Sequence, residues 1–284
     1  MGTVDLRDLS LEYYERGSGP AVVFVHGSAS DHRTWDQQLP AFEGRFRTIS
    51  FSRRYHWPNA PPSCKNGYGM PEQVEDLDRL LQSLDAGPVH LVGHSYGAYL
   101  CLMFALENSS RINRLVLAEP PVIPLFTSFP PKPHEILRLL LTHPPTALQV
   151  IKFAATGLVP AMSAAKKGDM ERATRRFGTA VLGKKAFAAL PPARVAQVRA
   201  NFHESELLSD NFMTPLDPSE IARVAIPTLL VIGENSPRLF HRLTGHLQRL
   251  LPLAEKVVIP DASHITHEDN AAAYNRAVLS FLQS

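Results

Sequence analysis

Ser95 stands in Gly93-His94-Ser95-Tyr96-Gly97, directly after the apolar run Val89-His90-Leu91-Val92 and directly before a second one, Ala98 to Ala105. A serine flanked by glycines at a strand-to-helix turn is exposed on a strained corner, because the glycines let neighbouring backbone pass close by. The helix that follows supplies a free N–H and a partial positive field where an oxyanion forms. A serine hydroxyl is a poor nucleophile unless a base takes its proton. The base expected here is His264, in Asp261-Ala262-Ser263-His264 after the apolar run Val257-Val258-Ile259. His267, three residues on, is the alternative.

An imidazole that takes a proton needs a carboxylate to fix its tautomer and support its positive form. Glu119 closes the run Leu115-Val116-Leu117-Ala118, whose side chains are otherwise apolar, and a buried carboxylate there needs a partner. Glu119 is therefore one candidate acid. Glu234, Asp210, Asp217 and Asp261, or no acid at all, remain alternatives, and Glu119 could instead serve as a cap or ion-pair member.

These residues sit at the ends of elements legible from pattern. Ala21–Val25, Arg47–Phe51, Val89–Val92, Ile112–Ala118, Thr228–Ile232 and Lys256–Ile259 read as strands, several of them apolar throughout and so buried on both faces. Pro71 through Leu84, Arg238 through Leu251 and Ala271 through Leu282 have helical spacing. From residue 120 to about 218 the strand signal disappears. Pro-punctuated helical segments replace it: Glu135–Leu141, Ala147–Ala155, Met170–Val181 and Val195–Leu208. The expectation is an α/β core built from residues 1–119 and 219–284, with a helical insert over 120–218.

Composition narrows the function. A net charge of +2 over 284 residues makes no case for nucleic acid. The basic groupings Lys166-Lys167, Arg175-Arg176 and Lys184-Lys185 read as solvated helix faces. Cys64 and Cys101 are far apart, and Cys101 lies in an apolar run, so a free buried thiol is expected. Asp5, Arg7, Asp8 and Glu12 leave no apolar leader, and Leu6 breaks the myristoylation pattern. No apolar run approaches the ~20 residues that span a bilayer. A cytoplasmic protein that does not engage a membrane is expected, and a homodimer stays open. The His, Asp and Glu residues lack metal-ligand spacing and no Gly-x-Gly-x-x-Gly occurs, so neither metal nor cofactor is expected.

From about residue 11 to the end, the insert excepted, the chain resembles the α/β-hydrolase superfamily, in its serine-nucleophile, cap-bearing branch. The resemblance rests on His26-Gly27-Ser28 after a strand, on Gly93-His94-Ser95-Tyr96-Gly97, on the loop of His264, and on Arg53-Arg54 after Phe51. It implies a mostly parallel sheet flanked by helices, with the backbone N–H groups of Ser28 and Tyr96 forming an oxyanion hole. The insert resembles the helical cap that roofs the site in such proteins, with Phe126, Phe129, Phe153 and Phe212 as candidate pocket walls. His26 is a further pocket candidate, although a histidine bonded to loop backbone is the plainer reading. His94 also reads as structural.

One departure from the family pattern is informative. Relatives carry the acid as an aspartate three residues after a strand-ending glycine, yet Gly233-Glu234-Asn235-Ser236 places Ser236 there. Some relatives, a branch of the haloalkane dehalogenases among them, take the acid from the preceding central strand, where this chain has Glu119, and the resemblance thus implies Glu119 as the acid.

The resemblance implies hydrolysis of a carboxylic ester, lactone or thioester with an apolar portion, through an acyl-enzyme on Ser95. Carbon–carbon bond hydrolysis by the same residues, and a non-hydrolytic ligand-binding or cyclase role, are the alternatives. Epoxide hydrolase and dehalogenase chemistry needs an aspartate nucleophile, and Ser95 argues against both. His26-Gly27-Ser28 is not the glycine- and proline-rich loop of proline iminopeptidases.

Overall fold

The computed structural model describes residues 1–6, 8–60 and 67–284; Arg7 and Cys64 therefore lie outside the described residues. An eight-stranded sheet has the order β1-β2-β4-β3-β5-β6-β7-β8. Its first strands are β1 (Gly2–Asp5), β2 (Ser10–Arg16), β3 (Ala21–Val25) and β4 (Arg47–Phe51). After helix α1 (Met70–Ser83) come β5 (Val89–His94), helix α2 (Tyr96–Glu107) and β6 (Ile112–Ala118). β1 and β2 pair antiparallel with each other and β2 with β4; every other pairing is parallel. The expected mostly parallel sheet flanked by helices is thus present. The antiparallel pair at its edge, formed by two half-exposed strands with a weak apolar signal, was not foreseen.

All five residues of β3 are buried, and its side chains divide by parity. Val23 and Val25 join the core that includes Leu77 of α1 and Leu100 of α2, whereas Val22 and Phe24 join Trp35, Phe42 and Tyr274 on the other face. This two-sided burial is why the strand carries no polar residue. Each such side chain contributes about 1.5–3 kcal/mol, so a charge at Val23 would break the sheet beneath the site.

The helices between β6 and β7 include α3 (Pro133–Thr142), α4 (Pro144–Phe153), α5 (Val159–Ala165), α6 (Met170–Leu182), α7 (Lys184–Ala188), α8 (Pro192–Asn201) and α9 (Ser205–Leu208), with a short turn of helix at Pro218–Ile221 before β7. Pro133, Pro144 and Pro192 each open a helix, where the missing N–H costs nothing and the fixed φ suits the first turn. A π turn at Ala154–Leu158 joins α4 to α5. The resulting stretch Pro144–Ala165 is 22 residues long and apolar enough, by length and composition, to cross a bilayer. That corrects the expectation that no segment approaches this length. Val195–Leu208, expected as one helix, is two, broken at Phe202, where the backbone turns extended.

The core resumes with β7 (Thr228–Gly233), α10 (Arg238–Leu250), β8 (Ala254–Ile259) and α11 (Ala271–Gln283). Leu239, Leu243 and Leu247 bury the inner face of α10. Cys101 is free and buried, and burial pushes its thiol up.

Candidate active site

Ser95 occupies the single residue between β5 and α2, with φ 51° and ψ −121°. A non-glycine residue at positive φ is held there only when its surroundings over-determine it, and here they do. The Ser95 N–H donates to the Ala118 carbonyl at 2.8 Å, tying the corner to the end of β6. A Cβ on Gly97 would lie 2.2 Å from the Val25 carbonyl oxygen, and one on Gly93 would lie 2.5 Å from that of Gly97. Only glycine at both positions lets the turn press this closely against β3.

His264 follows β8 and is buried, with Nε2 2.9 Å from Ser95 Oγ and Nδ1 3.0 Å from Glu119 Oε2. A carboxylate only accepts, so Nδ1 carries the proton and Nε2 is left as the acceptor for the serine hydroxyl. Glu119 sits one residue past β6 at φ 56°, fully buried. Its Oε1 accepts the Gly233 N–H at 2.7 Å and the Ser236 hydroxyl at 2.6 Å. Ser236, in the slot where relatives carry an acid, is thus the hydrogen-bond donor that orients Glu119.

The other carboxylates are elsewhere. Glu234 is exposed and accepts the Asp261 N–H, Asp217 caps a short helix, and Asp210 and Asp261 are exposed. His267 lies behind the site, with Nε2 2.8 Å from the Thr34 hydroxyl. His94 donates from Nε2 to the His264 carbonyl at 2.8 Å, and burial, with the neighbouring His267 and His264, keeps its pKa well below the ordinary range. A neutral ring there fixes the backbone of His264.

The loop at residues 26–29 closes over Ser95. A Cβ on Gly27 would lie 3.0 Å from Ser95 Cβ, so the loop backbone rests directly on the serine. Tyr96 is the first residue of α2, and its N–H has no partner within the helix. His26 does not enter the pocket. Its Nε2 accepts the Arg53 N–H at 2.9 Å, its Nδ1 donates to Gly27 O at 2.8 Å, and burial holds it neutral.

Two side chains of the insert grip the same loop, and the sequence did not announce either. Glu206 of α9 accepts the Ala29 N–H at 2.8 Å, and Arg194 of α8 donates to the Ala29 carbonyl at 3.0 Å while paired to Glu268. Ala29 itself is held at φ 53°. Glu206 is also the anion of a buried cluster. Arg53 reaches it at 3.1 Å and Tyr68 donates to it at 2.7 Å, while Arg53 also donates to the His26 and Gly27 carbonyls. Burial opposes ionisation of Glu206, but His56, Arg53 and Tyr68 together hold its pKa down to about 2.

Two chambers meet at Ser95. One, about 60 Å³, lies under α6 and α8 and is walled by Phe177, Phe187, Leu190, Arg194 and Phe202. The other, about 40 Å³, is walled by Phe129, Phe153, Phe212, Met213 and Phe240. Phe153 and Phe212 line the second chamber. Phe126 does not: it packs against His143 and His246, away from the serine. Ser28 lines both chambers. Among the described residues no His, Cys, Asp and Glu side chains group to hold a metal ion.

Comparison with known proteins agrees with this architecture. The family model described as alpha/beta hydrolase fold matches residues 20–271. Epoxide hydrolase 3 of Xenopus tropicalis is 22% identical over 99% of this chain and 77% of its own length. The sn-1-specific diacylglycerol lipase ABHD11 of Mus musculus is 26% identical over 98% of this chain and 87% of its own. The crystal structure of the enol-lactonase from Burkholderia xenovorans LB400 superposes with a TM-score of 0.77 over 100% of both chains, at 17% identity.

Proposed function

Because the chain belongs to the alpha/beta hydrolase fold family and is a hydrolase of that fold, we propose that it cleaves a carboxylic ester, lactone or thioester through an acyl-enzyme on Ser95. The observation that carries this reading is the unbroken chain Ser95 Oγ, His264, Glu119, with the serine on a strained corner beneath the loop of Ser28. His264 Nε2 takes the hydroxyl proton as Oγ attacks the carbonyl carbon. The tetrahedral oxyanion takes hydrogen bonds from the N–H groups of Ser28 and Tyr96, where negative charge also meets the positive end of α2. His264 then protonates the leaving oxygen or sulfur, activates a water, and the acyl group departs as the acid. Glu119 stabilises the imidazolium in both halves. The two chambers separate the acyl portion from the leaving group, and the helical insert forms the cap over both.

Similarity to an epoxide hydrolase does not carry epoxide chemistry to this chain. Attack of Ser95 on an epoxide would give an ether, which His264 and water cannot hydrolyse; an aspartate would give a cleavable ester.

Treatment with a fluorophosphonate should label Ser95 rapidly. Ser95→Ala should lower turnover of p-nitrophenyl esters by roughly 10³ or more, with the melting temperature nearly unchanged. Ester turnover retained in the alanine variant would overturn the mechanism.

A further inference from the structure

The wall of the second chamber has another side. Phe153, 9% exposed, also lines a larger open cleft between α4, α6, α7 and the first turn of α10. Four cationic side chains from four helices border that cleft: Lys152, Arg176, Lys184 and Arg238. Among the described residues no Asp or Glu lines it and none of the four has an ion-pair partner. Elsewhere in the protein arginines do pair, as Arg53, Arg54 and Arg194 show. Arg175-Arg176 and Lys184-Lys185, which read as solvated helix faces, are divided by the fold: one member of each pair faces this cleft.

Four exposed like charges bordering one cleft without an acidic neighbour repel one another, and an anion relieves that repulsion. The first turn of α10 adds a weaker field of the same sign. A single carboxylate would satisfy one of the four cations; a phosphate or pyrophosphate meets several at once. Phe153 lines both the cleft and the chamber, so a substrate group that turns past its ring reaches the cations.

We infer that the half of the substrate occupying the Phe153 chamber ends in a multiply charged phosphate head, bound by Lys152, Arg176, Lys184 and Arg238. The inference rests on the hydrolase reading above and names its substrate class: an acyl group on a phosphate-bearing thiol or alcohol, the phosphate staying with the leaving group.

Two thioesters with the same scissile bond test it: butyryl-coenzyme A, which carries the phosphates, and S-butyryl-N-acetylcysteamine, which lacks them. The intact enzyme should show a KM at least about tenfold lower for the phosphate-bearing thioester at low ionic strength, shrinking between roughly 20 and 500 mM salt. Lys152→Glu with Arg176→Glu should erase that advantage and leave kcat/KM for the truncated thioester within about twofold, which also shows that the variant folds. Equal KM values in the intact enzyme, or an advantage that survives charge reversal, overturn the cleft. Failure to turn over either thioester or a p-nitrophenyl ester counts instead against the hydrolase reading. Calorimetric titration of Ser95→Ala protein with butyryl-coenzyme A then decides the cleft alone: binding lost on charge reversal supports it, and no binding overturns it.

Discussion

Two glutamates lie at the heart of this molecule, both almost fully buried, and they differ in what faces them. Glu206 meets the guanidinium of Arg53, a cation that cannot give up its proton. Glu119 meets neutral donors, the Gly233 N–H and the Ser236 hydroxyl, and one group able to change charge, His264. The first carboxylate is permanently compensated and therefore holds structure. The second has no permanent countercharge, so in the proposed mechanism its field would favour a positive imidazole as Ser95 loses its proton. The partner, more than burial, decides which buried carboxylate takes part in chemistry.

Substituting each by its amide should separate the two roles. Glu119→Gln keeps the shape and removes the charge, and turnover should fall by roughly 10² to 10⁴, as for the corresponding change in a serine protease, with modest loss of stability. Glu234→Gln, on the exposed side of the same turn, is the control and should stay near wild type. The comparison fails if the exposed variant is the inactive one.

Glu206→Gln should show the reverse pattern. It leaves Arg53 buried without its anion, a change that costs about 3–5 kcal/mol and roughly 10 °C of melting temperature. Turnover should drop less than about tenfold, because an amide oxygen still accepts the Ala29 N–H. Acid sharpens the contrast. Glu206 holds its pKa near 2 against an ordinary value of 4.5, so its contribution is complete above pH 4.5 and is lost as pH falls toward 2. His26, His94 and His267 are held neutral by burial and take up protons on unfolding, so stability already declines below about pH 6.5. Melting temperatures from pH 7 to 3 should therefore fall in two stages in the wild type, with the lower stage reduced to the share of Asp31, also held below its ordinary value, in Glu206→Gln. A lower stage of undiminished size in the variant would remove Glu206 from this account. Ser236→Ala should have the smallest effect, a roughly threefold to tenfold loss in kcat from one hydrogen bond to Glu119; no change would mean that the Gly233 N–H alone orients the acid.

What the sequence made legible was local. β3, β4 and β6 span the residues their pattern marks as strands, and the turn at Ser95 is declared by its glycines and the runs around it. Glu119 could be read because a carboxylate closing an apolar strand has few uses, and because Ser236 left the usual place empty. Glu206 could not. It is 153 positions from Arg53, and it reaches that partner only because the chain breaks at Phe202, in a segment whose spacing is helical throughout. Phe126 shows the same difficulty in apolar form. Its composition matches that of Phe153 and Phe212, and only packing against His143 and His246 takes it away from the serine.

The grip of Arg194 and Glu206 on Ala29 bears on how such a protein can be re-engineered. A roof that rested on the core through apolar contact alone could be exchanged for that of a relative, and specificity would travel with it. Here the insert holds the loop at Ala29, next to the Ser28 N–H proposed to receive the oxyanion, from both the N–H and the carbonyl of one residue. A chimera carrying a foreign insert would lose those two anchors together with the old selectivity. Recombination along this boundary needs the anchoring pair transplanted back at positions 194 and 206 before any new pocket can be judged.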